Sequence, residues 1–296
     1  MLVLMANKKT LSKVAAVLLL LVILGLFAYY ISNHPDIIKS LKHLELWVLI
    51  LLLALYGVML TIWMGVYNTV LELCDKPLPR KENFLLTTYS TLANFFLPLQ
   101  SGPGVRAVYL KKKHKVSVSS YIMASLLYFA IYSVISAAFL LVFSSYWYLT
   151  IPAILAVALV SYGVIYLAKS RFEKKGNVLK LNLNKKTLIK LFLLTLSQLT
   201  LQTIIYATEL RSIGLHFSVL RAFSYTGAAS FSLFVSLTPG AIGFREAFLE
   251  FSRSIHHFTT NNILSANLID RGVFILFLAC LFIVMLMTHA KNKLNL

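Results

Sequence analysis

Two stretches decide the fold. The first is Leu92-Ala-Asn-Phe-Phe-Leu-Pro-Leu-Gln-Ser-Gly-Pro-Gly-Val-Arg-Ala107, and the second is Ser230-Phe-Ser-Leu-Phe-Val-Ser-Leu-Thr-Pro-Gly-Ala-Ile-Gly-Phe-Arg-Glu246. Both are apolar, and both are interrupted by Pro and Gly: Pro98 to Gly104 in one, Pro239 to Gly243 in the other. Pro removes a backbone donor and Gly weakens a helix. The surrounding segments run from about Phe84 to Leu110 and from about Phe223 to Phe251. Each is too short for two full membrane crossings at about 1.5 Å of rise per residue. Each therefore reads as one kinked span or one re-entrant hairpin.

Composition supplies the setting. Of the 296 residues, 59% are hydrophobic and 13% charged, and mean hydropathy is +0.80. Soluble domains are about 45–50% apolar and about 25% charged. This composition excludes a soluble globular enzyme, a disordered chain and a disulfide scaffold, and two cysteines give no Cys-based metal site. The reading is an integral membrane protein, residues 1–296 forming a single transmembrane domain.

A span needs about 20 mostly apolar residues. Six segments qualify in the sequence: Val14–Ile31, Leu44–Leu71, Val118–Phe143, Leu149–Ala168, Leu188–Leu210 and Ile263–Thr288. The first has a signal-peptide alternative, but it lacks a small-x-small cleavage site and reads as a retained helix. The first broken segment has Lys76, Arg80 and Lys81 before it and Lys111, Lys112, Lys113 and Lys115 after it. Basic flanks on both sides place both ends in the cytoplasm, so the segment enters and returns. Threading the chain on that basis puts both termini inside. The second broken segment then dips in from the opposite side; read as a full span, it would leave Lys291 and Lys293 outside.

Charge tests the threading. Twenty-one of the 28 basic residues fall in segments that it places inside, against four of the ten acids. Almost the whole net charge of +18 thus lies on one side. Positive-inside placement explains it, and a nucleic-acid partner is not needed. The run Lys111 to Lys115 and the loop from Lys169 to Lys190 suit anionic lipid. The expected location is the cell (inner) membrane.

The broken segments match one another: a half-helix, Pro, a Gly-rich break, then Gly-Val-Arg or Gly-Phe-Arg. Each lies between two spans, and the two sets run in opposite directions. The fold class is thus all-α and polytopic, about six spans plus two re-entrant hairpins in an inverted-topology repeat. Repeat 1 covers about 44–143 and repeat 2 about 188–288. Interrupted apolar segments at matching places in inverted halves point to a transporter's binding site.

Broken backbone at membrane depth must be buried in protein or line a wet cavity. Helices restarting after Gly104 and Gly243 present free N–H groups, with Arg106 and Arg245 just beyond. N–H groups and guanidinium together suit a phosphate. Arg106 has a second reading as a member of the cytoplasmic basic cluster. Glu246 beside Arg245 has a second reading as a partner for other hairpin charges. Asp270 and Arg271 are adjacent in the last span and point about 100° apart. Each then needs its own partner: Asp270 for Arg245, and Arg271 for Glu246 or the substrate. Their other reading is snorkelling at the headgroup level.

Gln198, Gln202, Tyr206 and Glu209 share one helix face and suit a polar groove for a headgroup. Tyr121, Ser125, Tyr128, Tyr132 and Ser136 form a similar stripe, read as helix packing and interface anchoring, with a groove lining as its alternative. Glu246, Glu250, Arg253 and His257 read as a salt ladder along one face, with a proton relay as the alternative. No nucleotide loop, Gly-x-Ser-x-Gly or zinc motif is present, so neither an enzyme nor a cofactor or metal is expected. Transport would be passive or driven by an ion gradient or the membrane potential.

The block Phe96-Leu-Pro-Leu-Gln-Ser-Gly-Pro-Gly-Val-Arg-Ala-Val-Tyr-Leu-Lys-Lys112, with Val116-Ser-Val-Ser-Ser-Tyr121, resembles the lysylphosphatidylglycerol synthase/flippase transmembrane family. So does Thr238-Pro-Gly-Ala-Ile-Gly-Phe-Arg-Glu-Ala247, and Arg271 resembles an arginine of that family's last span. The first break departs from the family pattern, with Pro103 beside Gly104 and no Glu before Arg106. The resemblance implies a flippase-like domain moving an anionic or aminoacylated phospholipid, or a polyprenyl-phosphate-linked lipid, between leaflets. In bifunctional members of that family a soluble aminoacyl transferase follows the membrane part; here the sequence ends at Leu296, shortly after the last span, so a stand-alone membrane domain without aminoacyl transfer is expected. The alternative is a lipid-binding scaffold that serves a separate lipid-modifying enzyme.

Overall fold

The computed structural model describes residues 44–96, 101–142, 144–174, 181–233 and 244–294, with Gly25, Tyr29 and Ser32. All regular structure among them is helical: α1 (Leu46–Glu72), α2 (Arg80–Phe96), α3 (Gly102–His114), α4 (Val118–Val142), a 3₁₀ turn (Trp147–Leu149), α5 (Thr150–Lys174), α6 (Lys185–Ser212), α7 (Val219–Ser232), α8 (Phe244–Phe251), α9 (Arg253–His256) and α10 (Thr260–Leu294).

Five described helical segments are long and apolar enough to cross a membrane: Leu46–Glu72, Val118–Val142, Trp147–Lys174, Lys185–Ser212 and Thr260–Met285. They correspond to five of the six expected spans. The other, Val14–Ile31, lies outside the described residues apart from Gly25 and Tyr29. α5 sits at the periphery, packed on α4, and none of its most apolar window is buried. An apolar helix with no buried face suits lipid as its surroundings.

The first broken segment doubles back on itself. Asn94 Oδ1 accepts from the Gly102 N–H at 2.7 Å, Ser90 Oγ accepts from Arg106 Nε at 2.7 Å, and Glu82 accepts from Tyr109 Oη at 2.5 Å. Each pair sums to nearly the same number, the signature of two antiparallel arms. Asn94 thereby caps α3 across the hairpin, satisfying an N–H that the helix itself leaves free. A Cβ on Gly102 would lie 2.5 Å from both Asn94 Oδ1 and the Ser90 carbonyl, so the close approach requires glycine. α3 ends on Lys115 in the left-handed region, with Lys111, Lys112, Lys113 and His114 complementing the dipole of its last turn.

The second segment folds back likewise. Phe231 on α7 meets Phe248 on α8, and Tyr225 meets His256 on α9. Residues 234–243, including the predicted Gly243, lie outside the described residues. α7 packs closely on α4: a Cβ on Gly227 would stand 2.3 Å from the Leu140 nitrogen. Small residues permit such approach between membrane helices, where packing rather than water exclusion drives association. One hydrophobic cluster joins α1, α2, α6, α7, α8 and α10, and a second joins α1, α2, α3, α4 and α6.

The expected ladder of Glu246, Glu250, Arg253 and His257 does not form as one row. The helix stops at Phe251 and restarts at Arg253, which destroys the common face. Glu250 pairs with Arg253 at 3.1 Å, while Glu246 turns to α10.

Candidate functional site

A cavity of about 260 Å³ lies among α1, α2, α3, α4, α6, α8 and α10. Arg106 reaches it from α3, Gln198 and Gln202 from α6, Arg245 from α8, and Asp270 and Arg271 from α10. Six of the nine residues singled out in the sequence therefore meet at one place. Glu246 stands just behind, against Arg271. Gly104 is exposed, with open space where a Cβ would go, and the cavity-lining residue beside it is Pro103.

The arginines differ in their surroundings. Arg106 is 4% exposed. Its guanidinium carbon lies 3.0 Å from the centroid of the Tyr67 ring, and its Nε donates to Ser90. Its Nη2 is buried with no hydrogen-bond partner, and among the described residues it forms no ion pair. A buried charge without a carboxylate is costly unless a ligand completes it. Arg245 donates from Nη1 to Asp270 and sits over the Tyr206 ring at 4.9 Å. Its Nε and Nη2 lack partners. Arg271 donates to Glu246 through Nη2.

Asp270 also accepts from Tyr56 Oη at 2.5 Å, so α1, α8 and α10 are tied at this carboxylate. Tyr128 Oη donates to Gln198 Oε1 at 3.1 Å, which fixes that amide. Arg271 does not snorkel: it and Asp270 are both buried, at 8% and 6% exposure.

Sequence reasoning missed part of the wall. Tyr121, Ser125, Tyr128 and Tyr132 line the cavity rather than serving only for packing. Their regular spacing on α4 was the available signal. Tyr56, Trp63 and Tyr67 supply an aromatic side from α1, again on one helix face. A cavity with aromatic walls and converging guanidinium groups accommodates an anion attached to an apolar body.

Among curated proteins, none matches the chain. The family model described as the lysylphosphatidylglycerol synthase TM region matches residues 13–282, nearly the whole length. The chain belongs to the lysylphosphatidylglycerol synthase transmembrane-region family.

Proposed function

We propose that the protein is a flippase-like transporter that moves an anionic or aminoacylated phospholipid, or a polyprenyl-phosphate-linked lipid, between leaflets. The observation that carries this reading is the buried Arg106: it has a free Nη2 and no ion pair among the described residues, in a cavity that it shares with Arg245. Membership of a family of lipid-synthase membrane regions supports a lipid as the source of the missing anion.

In this reading the headgroup phosphate enters the cavity and takes hydrogen bonds from Arg106. Its acyl or prenyl chains remain among the membrane-facing helices. The two broken segments act as the re-entrant elements of an inverted repeat, and rocking of one half against the other would change the side that opens. The lipid is moved without covalent change, in the cell membrane, with both termini cytoplasmic.

The test is transbilayer movement in proteoliposomes. Aminoacylated phosphatidylglycerol, phosphatidylglycerol and a polyprenyl phosphate are offered to wild type, Arg106→Ala and Arg245→Ala. Movement of one lipid, lost in both variants, is expected. Equal movement in all three proteins would sink the arginine site. Lipid binding with no movement by folded wild type would leave a binding module for a separate enzyme.

A further inference from the structure

Behind Arg245 lies a carboxyl group that lipid binding alone does not use. Glu209 on α6 is 1% exposed, and its Oε1 has no hydrogen-bond donor. Its carboxyl is within hydrogen-bonding reach of Asp270. Two carboxyl groups in contact attract one another only when a proton lies between them, since both are otherwise acceptors.

The surrounding charges can be counted. Tyr56 on α1, Tyr206 on α6 and Tyr225 on α7 face the pair and bring hydroxyl groups rather than a cation. His256 on α9 stacks against Tyr225; its Nδ1 accepts from the Phe258 N–H, and its Nε2 lies 2.9 Å from the Leu249 carbonyl. Both ring nitrogens are thus used by a neutral imidazole. Arg271 and Glu246 cancel each other. What remains is one guanidinium, Arg245, against two carboxyl groups. Neutrality of this buried cluster requires one proton on the pair.

We propose that Glu209 and Asp270 form a proton-binding pair that couples proton uptake to anion binding at Arg245. This rests on the transport reading above. The resting cluster holds one proton and is neutral. An arriving phosphate oxygen brings one negative charge. A second proton, taken from the aqueous phase, adds to Asp270 at Oδ2. The Asp270–Arg245 ion pair breaks, and Nη1 donates to the phosphate instead. Tyr56 still donates to Oδ1. The charge of the cluster is the same before and after, so the anion and the proton enter together.

Arg106 and Arg245 then have different duties. Arg106 is open to an anion at any pH. The charge of Arg245 is freed from Asp270 only with the proton, which makes the proton gradient a source of drive for lipid movement.

The experiment is calorimetric titration of the full chain, in non-ionic detergent, with dioctanoyl phosphatidylglycerol. Two buffers of different ionisation heat give the number of protons taken up. The expected uptake approaches one proton per lipid bound, and affinity rises by up to about tenfold for each unit fall in pH. Replacing both carboxyl groups, Asp270→Asn with Glu209→Gln, should abolish the uptake and flatten the pH dependence, since Arg245 is then uncompensated without a proton. Glu209→Gln should keep the uptake, because the amide stands in for the protonated carboxyl.

Wild-type binding without proton uptake would overturn the coupling and leave the transport reading intact. No binding at any pH would overturn both. Sulfate, which does not titrate near neutrality, is the free-anion arm. Sulfate binding alone, with one proton taken up, would keep the coupling and discard the lipid. The wild-type proton count decides the matter even where a variant fails to fold.

Discussion

Arg245 on α8 donates from Nη1 to Asp270 on α10, and the neighbouring Arg271 donates back to Glu246, the residue after Arg245. Two adjacent residues on one helix thus exchange opposite charges with two adjacent residues on another. The crossed pairs fasten the return arm of the second broken segment to the last span. Neither helix face by itself balances its charges, so each pair depends on the other helix being in register.

The Glu246–Arg271 pair gives a stability test clear of the proton-binding cluster. Glu246→Ala leaves Arg271 buried without its carboxylate and should cost about 3 kcal/mol, at the lower end for a broken buried pair. Exchanging the partners, Glu246→Arg with Arg271→Glu, should recover much of that loss. Thermal unfolding in detergent across the double-mutant cycle measures it. Additive losses in the exchanged protein would show that the pair contributes nothing.

Arg106 should behave differently from the paired arginines. It already lacks an ion-pair partner among the described residues, so Arg106→Gln should leave stability within about 1 kcal/mol of wild type or raise it. Anionic-lipid affinity should fall by about 10- to 100-fold, as expected for one charge-assisted hydrogen bond of about 1.5–3 kcal/mol. Lipid titration and thermal unfolding of the same preparation separate the two effects.

The glycines of the first break are not equivalent. Gly102→Ala drives a Cβ into Asn94 and the Ser90 carbonyl and should destabilise by about 1–3 kcal/mol. Gly104→Ala meets open space and should stay within about 0.5 kcal/mol. Gly227→Ala should be the most damaging, because its Cβ would meet three backbone atoms of α4, the nearest at 2.3 Å, whereas at Gly102 only the Ser90 carbonyl is backbone and the Asn94 side chain can move. Unfolding midpoints of the three variants give the order.

At the basic end of the first hairpin, burial pushes the Glu82 carboxyl upward. Hydrogen bonds from Lys113, Tyr109 and His114 outweigh that and hold it down at about 2, below its ordinary 4.5. Because the folded value is the lower one, the contribution is complete above pH 4.5 and fades as pH falls towards 2. Wild-type stability should therefore decline across that window. Glu82→Gln should lack that part of the decline. An identical acid profile for both proteins would show that the clasp between the arms adds no stability.

Which segments are apolar enough for a membrane is legible along the chain, because hydropathy is a local property and each span needs only its own length. Pro and Gly likewise mark the breaks locally, and the spacing Asp270-Arg271 already requires two separate partners. The choice of those partners is tertiary. Arg245 and Glu246 precede their partners Asp270 and Arg271 by twenty-five residues, and only the packing of α8 on α10 brings them together. The cavity is tertiary for the same reason. Tyr67, Tyr121 and Tyr128 look like packing residues along a helix, and they become a wall only when α1, α3, α4 and α6 close around Arg106. Gly102 and Gly104 are alike in sequence. They part company because one lies under the opposite arm and the other faces open space, a difference of steric contact that no local pattern encodes.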